Sequence, residues 1–260
     1  MSTPGAAPCE LLPWDSDFFG CRIARVCGDT LEPEQAAQID DWSRNHQVRG
    51  LYFLSRADVP ASIQTAEQHG FGLVDIRLTF EHRMMDAPDP APSDLPAGFH
   101  IRPVQPGDVP ELQTMARAGH RETRFFSDTH FSRQRAEELY STWITLEAQG
   151  RAQAVLVAAS ITNQPLGYIS CHWSLATQEG QIGLVGVSPK VRGRGLGKNL
   201  VGAALEWFRT QGAQKVTVVT QGNNRAAQRL YEQCGFLSHD LQLWYHKWYP
   251  VAKPQPGANQ

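Results

Sequence analysis

The order of apolar and polar residues in the first third of the chain switches between the periods of strands and helices. Short apolar runs at 22–26 and 51–54 predict two strands, and the alternating stretch 71–83 predicts a third. Between them, proline opens two segments of helical period, 33–47 and 60–69. Proline is favoured at the first position of a helix. This part of the chain is therefore predicted to be a small α/β unit.

A proline-rich stretch interrupts this pattern. Residues 86–98, DAPDPAPSDLPAG, contain four prolines among acidic and small residues, and such a stretch cannot build a regular element. We therefore expect a domain boundary there. It separates an N-terminal α/β domain over 1–85 from a second domain over 99–250. The remaining residues, 251–260, are expected to be a disordered tail.

The second half of the chain again alternates strands and helices. Asp108 precedes one helical segment as its expected cap, and Asn224 precedes another. Segment 120–135 mixes polar, aromatic and basic residues without a clean period. The predicted strands are 100–103, 152–161, 166–173, 180–187, 215–220 and 241–249, and the predicted helices are 110–119, 137–149, 198–211 and 225–234.

The stretch LVGVSPKVRGRGLGKN, residues 184–199, is typical of a phosphate-binding loop. An apolar strand leads through the loop into a helix, whose first N–H groups lack intrahelical partners and carry the positive end of the dipole. Alternating glycines let the backbone adopt positive φ and approach an anion closely. Dinucleotide-binding proteins build a similar loop, but here no nucleotide-binding βαβ unit surrounds it. The glycines are Gly193, Gly195 and Gly197, and the cations are Arg192, Arg194 and Lys198.

Composition narrows the class of protein. The chain has 24 Lys and Arg against 26 Asp and Glu, a net charge of −2, which argues against nucleic acid or an anionic membrane as the main partner. The five cysteines are scattered without a C-x-x-C pair, so we expect reduced thiols and no metal site. No signal-peptide pattern and no bilayer-length apolar run is present, which predicts a soluble cytoplasmic protein.

Two motifs resemble those of the GNAT superfamily of N-acetyltransferases. Arg192-x-x-Gly195-x-Gly197 is similar to its (Q/R)-x-x-G-x-(G/A) acyl-CoA loop, and residues 223–236, NNRAAQRLYEQCGF, are similar to its N-x-x-A-x-x-L-Y-x-x-x-G-F segment. The resemblance implies an α/β (α+β) fold with a mixed, mostly antiparallel central sheet flanked by helices. It also implies acetyl-CoA as the acetyl donor.

The same resemblance implies how acetyl-CoA is held. The pyrophosphate is expected on the N–H groups of 193–198, and the oxyanion on a backbone N–H of Val185 or Val187. Asn224 is expected to bond the pantetheine arm, although a plain helix N-cap is the rival interpretation. The full set of expected cofactor-binding residues is Leu184, Val185, Gly186, Val187, Arg192, Gly193, Arg194, Gly195, Leu196, Gly197, Lys198 and Asn224.

Four further stretches resemble the dTDP-fucosamine N-acetyltransferases, which acetylate the 4-amino group of a dTDP-linked 4-amino-4,6-dideoxy sugar. They are WDSDFFG (14–20), QHGFGLVD (68–75), TRFF (123–126) and the Tyr140-x-x-Trp143 pair. Two departures, an added SPKVR at 188–192 and Leu230 where that family has arginine, leave the exact sugar open. The resemblance implies a small-molecule amine acceptor and a homodimer.

Tyr231 is the expected general acid. A tyrosine hydroxyl has a pKa near that of an alkyl thiol, so it can protonate the departing thiolate of CoA. The resemblance places Tyr231 on the helix beside the thioester. The alternative is a tyrosine that only packs in the core. A non-catalytic acyl-CoA sensor would lack this hydroxyl, so the tyrosine disfavours that class.

Asp75 is the expected base. It occupies the acidic position that the resemblance offers after GFGLV, from which it would relay a proton through water. A solvated aspartate at the end of a strand is the competing interpretation. His120, His130 and His172 are further alternatives, each of which is also explained as a polar or packing residue.

The acceptor is expected to bind in segment 120–143. Arg124 is suited to a diphosphate because a guanidinium matches phosphate oxygens in pairs. Phe125, Tyr140 and Trp143, with Phe126, can stack on a base or a deoxysugar face. The alternative is a basic helix face beside an aromatic core. A different small-molecule or protein amine as acceptor therefore also stays open.

Overall fold

In the computed structural model the described residues are 7–84 and 95–250. They divide into two compact units. One holds the chain up to Ile76 and again from Leu241 onward, and the other is Arg77–Asp240. No helix of the described residues is both long and apolar enough to cross a bilayer.

The division into units differs from the expected boundary at 86–98, of which the structure describes 95–98. The boundaries lie inside two strands, Gly72–Arg83 (β4) and Leu237–Trp248 (β10). The first of these boundaries follows from strand pairing, because residues 77–83 of β4 pair residue by residue with residues 215–221 of the second unit. The tail expected over 251–260 lies outside the described residues.

The first unit is a small sheet with three helices. Each helix begins with proline at its first position, as the sequence predicted for two of them. Phe53 and Tyr245 are fully buried in its core. The strands are Cys9–Leu11 (β1), Ile23–Val26 (β2) and Gly50–Arg56 (β3), followed in sheet order by β10; the helices are Pro13–Phe19 (α1), Pro33–Asn45 (α2) and Pro60–Gln68 (α3).

The second unit has a mixed, mostly antiparallel sheet flanked by helices, as expected. Its order is β4-β9-β8-β7-β6-β5, and only β8 and β9 are parallel neighbours within it. Its strands are Phe99–Pro103 (β5), Ala154–Ser160 (β6), Pro165–Ser174 (β7), Glu179–Val187 (β8) and Lys215–Gln221 (β9). Its α-helices are Val109–Gly119 (α4), Arg124–Ser127 (α5), Arg133–Leu146 (α6), Leu196–Thr210 (α7) and Arg225–Gln233 (α8).

Helices α4 and α7 cover opposite faces of this sheet. The buried stripe of α7, which includes Leu200, Ala204 and Phe208, packs in one core with Ile169 of β7. The next residue of the strand points the other way, because side chains alternate along a strand. Tyr168 accordingly contacts His120 at the end of α4. The described part of the second unit thus has a mainly apolar core on the side of α7 and buried polar groups on the side of α4.

Asp108 does not cap α4 as expected, because its side chain makes no cap hydrogen bond. Instead its carboxylate accepts two hydrogen bonds from Arg102, at 2.6 and 2.9 Å, and one from the backbone N–H of Gln105 at 2.8 Å. Burial alone would raise the pKa of Asp108, but the hydrogen bonds from Arg102 and Gln105 outweigh it and the pKa is lowered. This ion pair ties β5 to the start of α4.

We expect Asp108→Asn to lower the free energy of unfolding by about 3 kcal/mol at pH 7, because it leaves the nearly buried Arg102 without its counter-charge. Since the folded-state pKa is lowered, the contribution of Asp108 is complete above the unfolded pKa of about 4 and is lost as pH falls below it. Urea unfolding from pH 7 down to pH 3 measures both effects.

Asp41→Asn is the matched control, since that carboxylate is 71% exposed in its pair with Arg44. Its removal should cost less than about 1 kcal/mol. Equal losses in the two variants would contradict the role given to Asp108.

Candidate functional site

Strands β8 and β9 separate at their carboxyl ends. Their parallel register runs from Glu179 opposite Lys215 to Ile182 opposite Val218. No later pair joins them among the described residues, although both strands continue. In the same region the register between β7 and β8 shifts between Ile169 and Cys171. A bulge of this kind bends a strand and re-aims its groups, so a gap opens in the sheet.

A cavity of about 650 Å³ occupies this gap within the second unit. Its walls are the carboxyl ends of β8 and β9, the loop that precedes α7, and the amino end of α8. The end of α4 with the following loop, and one face of α6, close the other end. The predicted site residues that line it are Leu184, Val185, Gly186, Val187, Arg192, Gly193, Gly195, Leu196, Gly197, Asn224, Tyr231, Tyr140 and Trp143.

Backbone N–H groups of β8 point into the gap. The N–H of Ser188 donates to the carbonyl of Leu166 in β7, and the N–H of Leu184 donates to Ser170 Oγ of the same strand, both at 2.8 Å. Because N–H directions alternate along a strand, those of Val185 and Val187 point away from β7 and toward the gap. The geometry therefore presents two donors where the sequence analysis expected one for the oxyanion.

The loop before α7 has the geometry of an anion site. Gly193 and Gly195 have φ of +77° and +80°, values that L side chains rarely adopt. Gly195 is the N-cap and offers no side-chain oxygen to the helix. The first intrahelical bond recorded there joins the N–H of Asn199 to the carbonyl of Gly195 at 3.1 Å. The N–H groups that precede Asn199 are therefore available to an anion.

Two of the expected cofactor-binding cations lie outside the cavity lining. Arg192 lines the cavity, whereas Arg194 and Lys198 are exposed residues of the same loop that do not. The reason is helical geometry: successive side chains at the start of a helix point in different directions, so a run of cations cannot face one ligand. A role for Arg194 and Lys198 in cofactor binding stays a prediction.

Tyr231 lines the cavity from α8 and is 4% exposed. Its ring packs against Phe80 and Phe236, with centroids 6.0 and 5.8 Å away. Burial, and to a lesser degree Cys234, raises the pKa of the Tyr231 hydroxyl above its usual value. The hydroxyl therefore keeps its proton throughout the neutral range. The packing interpretation and the interpretation as a proton donor are compatible here.

Asn224 is a helix N-cap that also lies at the cavity, so the two interpretations of the sequence analysis do not exclude each other. Its side-chain carbonyl accepts the N–H of Ala227 at 3.1 Å, so it is the N-cap of α8. It also lines the cavity. The cap uses the oxygen, so the amide NH₂ remains to donate to a ligand.

His120, Tyr140 and Trp143 form the aromatic end of the cavity. The imidazole of His120 stacks on Tyr140 with centroids 4.7 Å apart, and Tyr140 meets Trp143 edge to face at 5.2 Å. His120 Nε2 lies 2.9 Å from the hydroxyl of Tyr168. Burial lowers the pKa of His120 to about 4, so the ring is neutral at pH 7 and offers hydrogen bonds without charge.

Arg124 and Phe125, also expected to bind the acceptor, are not among the residues that line the cavity. Phe125 is buried and packs edge to face on Trp143 at 6.1 Å, and the Arg124 guanidinium lies 4.4 Å from the Phe125 ring centroid. Phe125 therefore packs against Trp143 outside the cavity surface, and Arg124 packs on Phe125.

A neighbouring groove of about 480 Å³ shares Arg121 with the cavity. Phe126 and Arg133 also line it. Glu137 lies 3.5 Å from Arg121 and 3.7 Å from Arg133, so one carboxylate faces two guanidinium groups. Asp128 also lines the groove, so these two arginines lie among two carboxylates.

Asp75, the expected base, lies on the part of β4 that belongs to the first unit. It is half-buried, and its Oδ1 accepts the N–H of Ile76 at 2.8 Å. The residues that line the cavity all belong to the second unit, and Asp75 is not one of them. Its catalytic role stays a prediction.

Sequence reasoning missed parts of the lining. Residues 219–221 of β9 line the cavity because they follow the last paired residue of a parallel strand. The two strands were predicted, but their pairing was not, so the gap between them gave no local signal. Residues 118–123 lie at the end of α4 and in the aperiodic stretch after it, and His120 was considered there only as one of several alternatives.

Residues 117–236 match the family model of the Acetyltransferase (GNAT) family. This chain carries a GNAT acetyltransferase domain. The solved GCN5-related N-acetyltransferase of Sphaerobacter thermophilus superimposes with a TM-score of 0.66 at 20% identity, over 92% of this chain and 76% of that one. That likeness confirms the GNAT fold. The match ends at Phe236, so the expected extent of the domain to residue 250 stays a prediction.

Three curated relatives are similar to this chain. The Bacillus subtilis spore coat polysaccharide biosynthesis protein SpsD is 32% identical over 59% of this chain and 52% of its own length. A mycothiol acetyltransferase of Thermobispora bispora is 29% identical over 76% of this chain and 66% of its own. The dTDP-fucosamine acetyltransferase of Escherichia coli O6:H1 is 26% identical over 94% of this chain and 100% of its own length. The chain thus spans only about half to two thirds of the first two.

Within residues 7–84 and 95–250, no group of three or more His, Cys, Asp or Glu side chains is arranged to hold a metal ion. Cys234 is half-buried on α8, and burial raises the pKa of its thiol to about 11. A thiol that stays protonated is a poor nucleophile. The GNAT domain therefore presents hydrogen-bond donors and a neutral phenol to its cavity.

We expect Gly186→Ala to lower the free energy of unfolding by about 1–3 kcal/mol, because the new methyl group would lie 2.5 Å from the Tyr168 ring. Gly202→Ala, on α7 with open space around it, is the control. It should raise stability by up to about 1 kcal/mol through helix propensity. Urea unfolding compares the two, and an unchanged Gly186→Ala would contradict the close contact.

Proposed function

We propose that the chain transfers the acetyl group of acetyl-CoA to the amino group of a dTDP-linked 4-amino-4,6-dideoxy sugar. The observation that carries this proposal is one cavity with two chemically different ends. One end has strand N–H groups and a glycine loop, and the other has aromatic rings beside an arginine. The first suits a thioester with a pyrophosphate, and the second suits a sugar with an anionic substituent.

The donor end is suited to acetyl-CoA. The N–H groups at the start of α7 would bind the pyrophosphate, and the amide of Asn224 would donate to the pantetheine arm. The carbonyl oxygen of the thioester would accept a hydrogen bond from the N–H of Val185 or Val187. These donors are already aimed into the gap, so they need no rearrangement as charge develops on the oxygen.

The reaction is a direct attack. The neutral amine adds to the thioester carbon, and the oxyanion of the tetrahedral intermediate is held by the β8 donors. The carbon–sulfur bond then breaks, and Tyr231 gives its proton to the sulfur, so that CoA leaves as the thiol. The amine nitrogen must also lose a proton. The high pKa of the Cys234 thiol favours this route over one with an acyl-enzyme.

The acceptor end is suited to a nucleotide-linked sugar. Tyr140 and Trp143 offer faces on which a deoxysugar can pack. Arg121 joins the cavity to the groove that Arg133 also lines, where a diphosphate would be matched by guanidinium forks, with Phe126 to stack on the base. The relative of Escherichia coli named a dTDP-fucosamine acetyltransferase supports this class of acceptor, since it is aligned over nearly all of both chains.

A second candidate is another small-molecule amine as the acceptor. The relative named a mycothiol acetyltransferase, 29% identical over 76% of this chain, favours it. The two candidates share the donor end and differ only in what the aromatic end and the groove recognise.

A panel of amines tests the proposal directly. The purified chain is incubated with acetyl-CoA and either dTDP-4-amino-4,6-dideoxygalactose, the same sugar without the nucleotide, the deacetylated mycothiol precursor, or a lysine peptide. Release of CoA thiol is then measured. We expect the dTDP-sugar to be acetylated with the highest kcat/KM. Acetylation of the lysine peptide or the mycothiol precursor alone would exclude the sugar assignment while leaving the acetyltransferase domain intact.

Arg121→Gln tests the acceptor end. Removing the arginine that joins cavity and groove should raise KM for the dTDP-sugar by about 10- to 100-fold, which corresponds to about 1.4–2.8 kcal/mol for a charged hydrogen bond. The sugar without the nucleotide should show no such change. Arg117→Gln, on α4 but outside the cavity lining, is the control. Equal effects on both acceptors would contradict a role in binding the nucleotide.

We expect Tyr231→Phe to lower kcat by about 10²- to 10⁴-fold, because the leaving thiolate loses its proton donor. The affinity for acetyl-CoA, measured by calorimetry, should stay within about twofold, since the ring remains. Tyr245→Phe, a buried tyrosine of the first unit, is the control and should keep full activity. Near-wild-type turnover by Tyr231→Phe would remove it from the mechanism.

A further inference from the structure

A buried glutamate lies where α6 ends. Glu147 is 5% exposed and follows Trp143 by one helical turn, on the face of α6 that also carries Tyr140. At this point the α-helix ends in a π-type turn, Glu147–Arg151, in which Gly150 has a non-helical φ of +108°, and a glycine with positive φ is a common end of a helix. A buried carboxylate is costly unless it is paired, so Glu147 requires an explanation that the donor and acceptor sites do not supply.

His172 of β7 is the close neighbour of this carboxylate. Its Nε2 lies 2.7 Å from Glu147 Oε2, while Arg151 Nε is 3.7 Å from the other oxygen. The contact with His172 is short but poorly aligned, so Oε2 receives no hydrogen bond of good geometry from the residues that the structure describes. Two lone pairs at 2.7 Å repel each other. The His172 nitrogen that faces Glu147 therefore carries the proton, and the carboxylate keeps an unused acceptor site.

The pair of His172 and Glu147 approaches the cavity at Gly183. A Cβ built on this glycine would lie 2.6 Å from Ser170 Oγ and 2.9 Å from His172 Nε2, so both atoms approach the strand where only hydrogen fits. Gly183 also lines the cavity. Ser170 is fully buried and its oxygen accepts the N–H of Leu184 at 2.8 Å. Its hydroxyl proton is thus directed away from that strand N–H.

The far side of the pair faces solvent. His172 is 29% exposed and also lines an open groove of about 370 Å³ with Gln153 and Ser174. The cluster of Ser170, His172 and Glu147 therefore extends from the wall of the cavity to the outside of the second unit.

We propose that Glu147, held by His172 next to the cavity wall at Gly183, takes the proton that the acceptor amine loses before its attack. The inference rests on the proposed acetyl transfer and names its proton acceptor. The proton leaves the ammonium group of the acceptor, the electron pair stays on nitrogen for the attack, and the Glu147 carboxylate becomes a neutral carboxylic acid. That acid later returns the proton to solvent at the groove, where His172 is exposed. The nitrogen loses its second proton after the attack, and this proton restores the Tyr231 hydroxyl that has protonated the sulfur.

The charges around the pair are few. Arg151 faces Glu147 from the π-helical turn, and Glu179 lines the groove in an ion pair with Lys215 at 2.9 Å. Cys171 points to the opposite face of β7, and burial raises the pKa of its thiol to about 12, so it stays neutral.

The pH dependence of kcat/KM separates proton transfer from a structural role. Glu147→Gln and His172→Gln should lower kcat/KM by about 10²-fold or more at pH 7, the size expected for a lost base. The loss should shrink to less than about threefold above the pKa of the acceptor amine, where the amine binds already neutral. Acetyl-CoA affinity should stay unchanged. The acceptor is the dTDP-4-amino sugar, or the amine that the panel identifies in its place.

Two comparison variants sharpen this measurement. Glu179→Gln removes the same charge at the rim of the groove and should keep wild-type activity at every pH. Asp75→Asn tests the base predicted from sequence. A loss of equal size at all pH values in Glu147→Gln and His172→Gln would overturn the proposal, as would a pH-dependent loss confined to Asp75→Asn.

A second measurement needs no substrate, so its outcome does not depend on whether the proposed function is correct. Nitrogen-15 NMR of the histidine side chains at pH 8, assigned with His172→Gln, reports which ring nitrogen carries hydrogen. We expect His172 to be the Nε2–H tautomer in the native chain, with its nitrogen shifts changed in Glu147→Gln. An Nδ1–H tautomer would show that the proton does not face Glu147, and would reject the arrangement.

Discussion

Parallel pairing between β8 and β9 stops at Ile182 and Val218, and every element of the site depends on that interruption. Had the ladder continued, the N–H groups of Val185 and Val187 would be bonded to β9 and the cavity would be closed. The shifted register between β7 and β8 makes the opening compatible with an otherwise regular sheet. The glycine loop and α7 then begin where the opened strand ends, which brings strand donors and helix donors to one cavity.

The side of the sheet that faces α4 and α6 is unusual in what it buries. Tyr168, Ser170 and Glu147 are buried there beside the half-buried His120, whereas the core against α7 is mainly apolar, with Asn199 among its buried polar side chains. Burial raises the pKa of Tyr168 and lowers that of His120, so both are neutral at pH 7. Neutral groups in a site of low dielectric bond strongly without attracting a counter-ion. Glu147 is the buried exception, and its position one turn from Trp143 links it to the acceptor end.

Much of the fold was predicted from the periodicity of apolar residues and from the prolines and glycines at the ends of elements. The helices that begin at Pro33 and Pro60, and the strand–loop–helix unit around Gly195, were located to within a few residues, because their signals are local: a proline, a glycine, an alternating run. Asn224 as a cap is local in the same way. Asp108 shows the limit of this reasoning. Its position as the N-cap residue was predicted correctly, but its side chain accepts hydrogen bonds from Arg102 and not from the helix. The two compact units divide the chain inside β4 and β10, and the domain boundary expected at the prolines stays a prediction.

The sequence by itself determined the half of the cavity formed by the glycine loop and the amino end of α8. The loop at 192–198 and the motif that carries Tyr231 are contiguous, and a backbone that binds an anion needs only the right glycines next to a helix start. Only the tertiary structure decided the aromatic half of the cavity. His120 meets Tyr168, which is 48 residues away, and Glu147 meets His172 across two elements. Such contacts depend on which strands pair and which helix faces are buried, and no local pattern of residues encodes them.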